Sequence, residues 1–389
     1  MTDSRESGPD DFPVVGVVGG GQLARMMQQP AIALGVRLRL LSDTPADSAA
    51  QVIPDTVVGD YRDLETLRSF VRGCDVVTFD HEHVPTEHLR SLEQDGVVVR
   101  PGAEALVFAQ DKGLMRERLV ELAAPLPRWR RVRTASDVAT FVDEVTAFPV
   151  VLKATRGGYD GKGVWVVHDL AAADEILAHD QVPGFIVEEM VPFSRELSAM
   201  VARSPSGQAV AYPVVQTVQR DDICHEVYAP APGIDPEHAV AAQQVALRIA
   251  GELGVVGMLA VEMFDTPSGV LVNELAMRPH NSGHWGIDGA VTSQFENHLR
   301  AVLDLPLGDP SATAPLTVMV NLLGGDLTDL YPAYLHCMAR DPGLKVHMYG
   351  KAVKPGRKVG HVTATGTALD ELLDRTRHAV AYLRGDIDE

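Results

Sequence analysis

The chain has 389 residues, a length that indicates two or three domains rather than one core. Hydrophobic residues make up 46% and charged residues 22%, which excludes a disordered or fibrous protein. The formal net charge of −19 argues against nucleic acid and anionic membranes as partners. The three cysteines lie far apart, and no apolar run is long enough for a signal peptide or a membrane span. We therefore expect a cytoplasmic protein with reduced thiols.

Alternating strand and helix patterns predict a parallel α/β sheet over roughly the first 100 residues. Val14–Val18 is a β-branched run that ends at three glycines, and a helical spacing of apolar residues runs from Leu23 to Leu34. Pro30 within this helix predicts a kink or a restart. The further expected strands are Val36–Leu41, Val57–Val58, Val76–Phe79 and Val97–Val99.

The segment after the first strand, Gly19-x-Gly21-x-x-Ala24, matches the dinucleotide-binding fingerprint. Asp43 stands about where an acid that binds a ribose is expected. Glycines here let a backbone approach a phosphate at the helix N-terminus, or they only allow the helix to pack closely on the strand. Both interpretations stay open on this segment alone.

The pattern changes after Gly102, where a helix is expected over about 109–122. From 149 to 276 the strands are neighbours in sequence, which predicts antiparallel pairing, with helices near 170–180 and 236–253. A turn-rich segment at 305–310 precedes short strands and a C-terminal helix near 368–383. We predict three domains with boundaries near 110 and 306.

A glycine-rich loop carries the first strong chemical signal. Lys153 begins it, and four glycines fall within 157–163. The loop is not a Walker A motif, because Lys162 is followed by Gly163 rather than Ser or Thr. It suits a flexible flap over a polyphosphate, with Tyr159 and Asp160 at the tip facing a second substrate. A long hairpin turn is the alternative, although such a turn needs only one or two glycines.

A pair of glutamates carries the second signal. A hairpin centred on Ser268 places Glu262 opposite Glu274. Because opposed like charges destabilise a sheet, either one carboxyl has a raised pKa or a divalent cation lies between them. Oxygen ligands near a polyphosphate flap favour Mg²⁺, with Mn²⁺ as an alternative. A solvated pair at a sheet edge is the other interpretation, and a bulge would break this register.

Two polar clusters follow the hairpin. Residues 278–285 contain Arg, two His, Asn and Ser, which are poor core material and supply donors for a small oxyanion, or else form a capping loop. The second cluster is Lys351, Lys354, Arg357 and Lys358. A Pro-Gly turn holds these cations together, so they form either a phosphomonoester site or a solvated turn.

Five motifs together resemble the ATP-grasp superfamily and, more narrowly, the N5-carboxyaminoimidazole ribonucleotide synthetases. They are Gly19-Gly-Gly-Gln-Leu23, Gly158-Tyr-Asp-Gly-Lys-Gly163, Asn273-Glu274, Arg278-Pro-His-Asn-Ser-Gly-His284 and Gly356-Arg-Lys-Val-Gly-His361. They occur in order over nearly the whole chain, and the Arg278–His284 motif is the most specific. The resemblance implies an α/β and α+β architecture. Its parts are a Rossmann-like pre-ATP-grasp domain (1–110), an ATP-grasp domain (111–305, flap subdomain about 125–195) and a small β-rich C-terminal domain (306–389).

The resemblance also implies the reaction and its residues. ATP and bicarbonate would form carboxyphosphate, which carboxylates 5-aminoimidazole ribonucleotide and leaves ADP and phosphate. The implied ATP-binding residues are Lys112, Lys153, the flap residues Gly158, Tyr159, Asp160, Gly161, Lys162, Gly163 and Val164, the adenine hinge Glu188, Glu189, Met190 and Val191, and Glu196, Gln219, Asn273 and Glu274. Gln219 and Lys354 depart from the family, which usually has His and Arg there.

The remaining implied roles concern the metal and the other two substrates. Glu262 and Glu274 match the magnesium ligands. The implied catalytic residues are Arg278, His280 and Asn281, which would hold bicarbonate, and Tyr159 and Asp160, which would contact the base of the ribonucleotide. The implied ribonucleotide-binding residues are Gly21, Gln22, Leu23, Lys351, Arg357 and Lys358. The family also implies a homodimer.

Three other functions stay open on the sequence. The first is a ligase of the formate-dependent glycinamide ribonucleotide transformylase type, which formate dependence would reveal. The second is a dinucleotide-dependent oxidoreductase built on Gly19–Ala24, which leaves the flap and both glutamates unexplained. The third is a non-catalytic nucleotide-binding regulator, against which the retention of Glu262 and Glu274 argues.

Overall fold

The computed structural model describes residues 12–157, 162–178 and 183–388. The strands are β1 (Val14–Val18), β2 (Arg37–Ser42), β3 (Asp55–Val58), β4 (Val76–Phe79), β5 (Trp129–Val132), β6 (Val150–Ala154), β7 (Val164–Val167), β8 (Phe185–Glu189), β9 (Arg195–Arg203), β10 (Ala209–Ala211), β11 (Val215–Arg220), β12 (Ile223–Ala229), β13 (Gly257–Thr266), β14 (Gly269–Ala276), β15 (Leu316–Leu323), β16 (Lys345–Met348) and β17 (Lys358–Gly366).

The helices are α1 (Gln22–Leu34), α2 (Leu64–Phe70), α3 (Thr86–Gln94), α4 (Ala103–Gln110), α5 (Lys112–Glu121), α6 (Ala135–Val145), α7 (Leu170–Leu177), α8 (Pro236–Glu252), α9 (Gly286–Gly289), α10 (Gln294–Val302), α11 (Ala333–Arg340) and α12 (Leu369–Arg384), with one 3-10 turn at Asn281–Gly283. Within the described ranges, none of these helices combines the length and apolar character needed to cross a bilayer.

The N-terminal sheet is parallel, as the alternating pattern predicted, with strand order β3-β2-β1-β4. All five residues of β1 are buried, which explains why valines occupy both faces of the strand on either side of Gly16. The strand predicted at 97–99 was wrong, because these residues pair only through a single bridge between Val77 and Val99. Helix α1 runs through Pro30 without a restart, so of the two outcomes expected there only the kink stays a prediction.

The predicted helix over 109–122 is two helices, because Asp111 has an extended backbone that separates α4 from α5. The Asp111 carboxylate accepts hydrogen bonds from the backbone N–H groups of Gly113 and Leu114, both at 3.0 Å, and so caps α5. This break sets the direction of α5, which begins at Lys112.

Two antiparallel sheets make up the rest of the chain. A small sheet has the order β5-β8-β6-β7, with α6 and α7 packed against it over one apolar core. The large sheet has the order β14-β13-β9-β11-β12-β15-β17-β16, with β10 also pairing β9. Because β12 pairs β15, this sheet continues across the domain boundary predicted near residue 306. The division of the chain into three domains, with boundaries near 110 and 306, stays a prediction.

Candidate active-site cleft

A cleft with a volume of about 730 Å³ lies between the small sheet, the large sheet and the carboxyl ends of the N-terminal strands. The predicted site residues that line it are Gln22, Leu23, Lys112, Lys153, Val164, Glu188, Glu189, Met190, Val191, Glu196, Gln219, Glu262, Asn273, Glu274, Arg278, His280, Asn281 and Lys358. The fold therefore gathers residues from widely separated segments around one space. Ligands bind at this edge of open α/β sheets as a general rule.

Some predicted residues lie elsewhere. Gly158, Tyr159, Asp160 and Gly161 fall outside the described residues. Of the described ones, the residues that do not line the cleft are Gly21, Lys162, Gly163, Lys351 and Arg357. Lys162 is exposed, and Gly163 has a φ of +79°, a conformation that favours glycine.

Glu262 and Glu274 do pair across the β13–β14 hairpin, but not through the expected register. The turn is tighter than expected, since Thr266 pairs with Gly269 and Met263 with Val272. A bulge at Asn273 then shifts the register by one residue and brings the two glutamates opposite each other. The predicted pairing is confirmed, whereas the unbulged geometry behind it was wrong.

The pKa values of these two carboxyl groups shift in opposite directions. Burial raises the pKa of Glu262 to about 7, and the charges of Glu274 and Glu196 add to the rise. Burial opposes ionisation of Glu274 as well, but the ammonium group of Lys112 bonds to its Oε1 and lowers its pKa. One carboxylate is thus held ionised by a lysine, while the other lacks a comparable cation.

The donor set of this pair fits a hard divalent cation. Two half-buried carboxylates face one cleft, and carboxylate oxygens are the protein ligands that Mg²⁺ prefers. Within the described ranges, no group of three or more His, Cys, Asp or Glu residues is arranged around one metal position. Phosphate oxygens and water would therefore complete the coordination, as is usual for Mg²⁺.

A buried ion cluster stands beside the pair. Glu188 accepts from Arg116 Nε at 2.6 Å and pairs with Lys153 Nζ at 2.7 Å, and the Arg116 and Glu188 side chains are 0% and 3% exposed. Burial alone would raise the pKa of Glu188, but the charges of Arg116 and Lys153 lower it to about 2. Lys153 Nζ also donates to Asn273 Oδ1 at 2.9 Å.

Sequence reasoning missed Arg116, although a signal was present. Arg116 lies four residues after Lys112, so both project from one face of α5. Because the Glu188 side chain is occupied by Lys153 and Arg116, only its backbone is available to read an adenine edge. The adenine-hinge role of residues 188–191 remains a prediction.

The cleft next to residues 188–191 has an apolar part and, further along, a polar part. Apolar side chains from both sheets and from the β8–β9 connection line the space: Val151, Val166, Met190, Phe193 and Leu275. Beyond them, burial raises the pKa of Glu196, against a hydrogen bond from Gln219. In this sequence, Gln219 therefore contacts a predicted ribose-binding carboxylate.

The loop at 278–284 forms the opposite wall. His280 Nδ1 lies 2.8 Å from Ser282 Oγ, and its Nε2 lies 3.4 Å from Glu262 Oε1. Burial, together with the charges of Arg278 and Lys358, lowers the pKa of His280 to about 3, so the ring is neutral. The Asn281 amide exchanges hydrogen bonds with the amide of Asn321 on β15.

Arg278 has a partner that sequence reasoning did not assign. Its Nε lies 3.3 Å from Glu82 Oε2, and Glu82 Oε1 accepts from the backbone N–H of Met277 at 2.7 Å. Glu82 follows β4 at the carboxyl end of the parallel sheet. The position of Glu82 just after a parallel strand could have indicated its place in the site, because ligands bind at that edge of such sheets.

The glycines after β1 are explained by close packing. A Cβ on Gly19 would lie 2.7 Å from the His81 ring, and on Gly20 and Gly21 it would collide with Ser42 and with Asp80. The Asp80 carboxylate accepts from the backbone N–H of Ala24 at 2.8 Å, at the start of α1. Because a carboxylate accepts this N–H group, where a dinucleotide enzyme would bind an anionic pyrophosphate, the arrangement argues against dinucleotide binding.

The basic segment at 351–358 borders the cleft only in part. The Lys351 ammonium donates to Gln22 Oε1, and Lys358 lines the cleft. Arg357 is exposed and donates to the backbone oxygen of Ala352 at 3.4 Å, and Lys354 is exposed as well.

Comparison with known families and proteins agrees with this layout. Three family models match in succession: the ribonucleotide synthetase preATP-grasp domain at 13–110, the ATP-grasp domain at 117–295 and the phosphoribosylaminoimidazole carboxylase C-terminal domain at 317–375. An N5-carboxyaminoimidazole ribonucleotide synthase of Mycobacterium tuberculosis is 53% identical over 377 residues, covering 95% of this chain and 88% of its own. One from Corynebacterium ammoniagenes is 50% identical, covering 91% and 88%.

Solved structures give the same result. The Thermus thermophilus N5-carboxyaminoimidazole ribonucleotide synthetase has a TM-score of 0.83 and 36% identity, covering 96% of this chain and 99% of its own. The Aspergillus clavatus synthase, in complex with ADP and 5-aminoimidazole ribonucleotide, has a TM-score of 0.87 and 30% identity, covering 97% and 99%.

Proposed function

The chain belongs to the family of N5-carboxyaminoimidazole ribonucleotide synthases, and from that premise we propose how its residues perform the family's reaction. It is an ATP-grasp ligase, and its reaction is the ATP-dependent carboxylation of 5-aminoimidazole ribonucleotide in purine biosynthesis. The observation that best supports the assignment of roles is the cleft in which Glu262, Glu274, Lys112 and Lys153 converge.

The nucleotide binds at this convergence. Lys112 and Lys153 move from Glu274 and Glu188 towards the phosphates, because phosphate oxygens offer them a larger negative charge. Glu262 and Glu274 would then hold Mg²⁺, which supplies charge neutralisation on the phosphoryl oxygens. The backbone of residues 188–191 reads the adenine, and Glu196 binds the ribose hydroxyls. The flap role of residues 158–164 is carried over from the family resemblance, and 162–164 are the part of this segment that the structure describes.

Bicarbonate binds to Arg278, His280 and Asn281 and is the acceptor of the γ-phosphoryl group. A bicarbonate oxygen attacks the γ-phosphorus, the bond to ADP breaks, and carboxyphosphate forms. The Arg278 guanidinium and the neutral His280 ring donate hydrogen bonds to the anionic oxygens. Because carboxyphosphate decomposes in water, the cleft has to exclude solvent until the next step.

The ribonucleotide binds at the other end, next to Gln22 and Leu23. Lys351, Arg357 and Lys358 hold its phosphate, and Tyr159 and Asp160 contact its base. The exocyclic amine attacks the carboxyl carbon of carboxyphosphate and loses a proton, and phosphate leaves with the electron pair of the broken C–O bond. The product is a carbamate.

The first test is ADP release with Mg-ATP, measured by a coupled assay. We expect strong stimulation by 5-aminoimidazole ribonucleotide, and loss of that stimulation when bicarbonate is depleted. Stimulation by formate and glycinamide ribonucleotide would instead assign the transformylase-type reaction. If neither acceptor stimulates ADP release, the acceptor assignment is wrong, and other phosphorylated amines should be tested as substrates.

Two further properties belong to the same proposal. A homodimer follows from the family resemblance, and sedimentation or light scattering measures it directly. A cytoplasmic location fits a purine-biosynthesis enzyme whose cysteines Cys74, Cys224 and Cys337 are reduced thiols in the described part of the chain.

A further inference from the structure

One buried amide outside the motifs holds the loop that carries the proposed bicarbonate site. Gln294, the first residue of α10, is 1% exposed. Its Oε1 accepts from the backbone N–H of His280 at 2.8 Å, and its Nε2 donates to the His280 carbonyl oxygen, also at 2.8 Å. The second Nε2 hydrogen points to His284 Nδ1 at 3.0 Å. These three bonds use both donors of the amide and its oxygen on residues 280 and 284.

These contacts fix both the amide and the loop. The two bonds to His280 have opposite polarity, so an inverted amide would place its donors against a backbone N–H. The fit around the loop is equally close, because a Cβ on Gly283 would lie 2.6 Å from Gln294 Oε1. Since Gln294 holds the His280 backbone from both sides, it limits how far the imidazole can move in the cleft.

We propose that Gln294 is a positioning residue that holds His280 in place for bicarbonate. It touches no substrate itself and acts only through the backbone of residue 280 and the ring of His284. The proposal rests on the proposed function, in which His280 binds bicarbonate. Its consequence is selective: loss of these bonds weakens bicarbonate use and leaves nucleotide binding in place, because the proposed nucleotide contacts lie on other helices, strands and loops.

The chain offers a matched control on the same helix. Asn297 is 0% exposed, and its amide makes three hydrogen bonds of its own. Its Oδ1 accepts from the N–H of Gly308 at 2.7 Å, and its Nδ2 donates to Tyr212 Oη at 2.7 Å and to Gly308 O at 3.3 Å. None of these bonds reaches the loop at 278–284. Loss of either amide removes buried hydrogen bonds from α10, but of the two residues Gln294 is the one whose amide bonds to His280.

The experiment compares Gln294→Met with Asn297→Leu in the full-length enzyme. For Gln294→Met we expect the KM for bicarbonate to rise at least about tenfold, with the KM for ATP changed less than about twofold. For Asn297→Leu we expect both KM values within about twofold of wild type. Equal effects of the two variants on bicarbonate KM, or an equal rise in both KM values for Gln294→Met, would overturn the proposal.

A second variant keeps the test decisive if Gln294→Met folds poorly. Gln294→Glu preserves the shape of the side chain and the oxygen that accepts from the His280 N–H. While the carboxyl is ionised, however, its second oxygen faces two acceptors, the His280 carbonyl oxygen and His284 Nδ1. A protonated carboxyl restores one donor. We therefore expect its activity relative to wild type to increase as pH falls from 8 to 6, and a flat ratio would contradict the proposal.

Failure of the proposed function would be visible separately, because wild-type enzyme would then show no bicarbonate-dependent ADP release. In that case the positioning claim is decided by the imidazole NMR signals of His280. These are expected to shift in the folded Gln294→Met variant and to stay unchanged in Asn297→Leu. Unchanged His280 signals in both variants would overturn the claim.

Discussion

The two ends of the cleft treat their cations differently. At the proposed metal end, which contains Glu262 and Glu274, Lys112 and Lys153 are nearly buried and already paired with Glu274 and Glu188. At the proposed ribonucleotide end, which contains Lys351, Arg357 and Lys358, the Arg357 side chain is exposed and donates to the backbone oxygen of Ala352. Lys112 and Lys153 are therefore held by carboxylates already, whereas we expect Arg357 to be ordered by the phosphate of the substrate.

The difference follows from where each cation is attached. Lys153 lies on a strand, and Lys112 lies at the capped start of a helix, so their backbones are fixed by ladders of hydrogen bonds. Residues 350–357 form a turn outside both neighbouring strands, β16 and β17. Substitutions at the metal end should accordingly change turnover and stability, whereas those at the other end should change substrate affinity.

The largest effect is expected for Glu274→Gln. This change removes one proposed metal ligand and the partner of Lys112, so turnover with Mg-ATP should fall by roughly 1,000-fold or more. The coupled ADP assay measures it, and circular dichroism checks the fold. Glu252→Gln, at the exposed end of α8, is the control and should retain wild-type turnover. Near-normal activity of Glu274→Gln would contradict the metal assignment.

Glu188→Gln tests how strongly the metal end depends on paired charges. The change leaves Arg116 and Lys153 buried without a carboxylate, which should lower the free energy of unfolding by about 3–5 kcal/mol. Urea denaturation measures this loss. Glu144→Gln removes an exposed partner of Arg130 and should have no comparable effect. Equal destabilisation by both changes would contradict the role assigned to burial.

Arg357→Ala tests the ribonucleotide end. Loss of a charged contact to phosphate should raise the KM for the ribonucleotide about 10- to 100-fold, with the KM for ATP nearly unchanged. Steady-state kinetics with each substrate varied in turn measures both constants. The matched control is Lys345→Ala, an exposed cation on β16. If the KM values for the ribonucleotide and for ATP rise equally in Arg357→Ala, the proposal that Arg357 binds the ribonucleotide phosphate is wrong.

The smallest effect concerns His298, a buried histidine of α10 that does not line the cleft. His298 Nε2 lies 2.8 Å from Thr78 Oγ1, its Nδ1 accepts from the Met258 N–H, and burial lowers its pKa to about 3. The unfolded chain, with a pKa near the usual value of about 6.5, binds the proton first as the pH falls. The stability contributed by neutral His298 is therefore complete above about pH 6.5 and is lost progressively below it.

Between pH 7.5 and pH 5.5 this group alone should lower the free energy of unfolding by about 1.4 kcal/mol. Urea denaturation at both pH values, for wild type and for His298→Gln, measures the contribution. The difference between the two pH values should shrink by about that amount in the variant. An unchanged difference would show that His298 is not the titrating group.

Much of the fold was predictable because its signals are local. The β-branched run of β1, the helical spacing of α1 and the alternation over the first 100 residues gave the parallel sheet. The failures were local as well. A single capping aspartate, Asp111, separates α4 from α5, and the bulge at Asn273 sets the register of the glutamate pair. Apolar periodicity does not report either event.

By itself, the sequence determined the types of residue that the chemistry needs and the short segments in which they stand. Those motifs depend only on neighbours along the chain. Only the tertiary structure decided which distant residues act together. Arg116 is 72 residues from Glu188, Glu82 is 195 from Met277, and Lys351 is 329 from Gln22. Contacts over such separations leave no periodicity in the sequence, because packing of the sheets, rather than local backbone preference, brings them together.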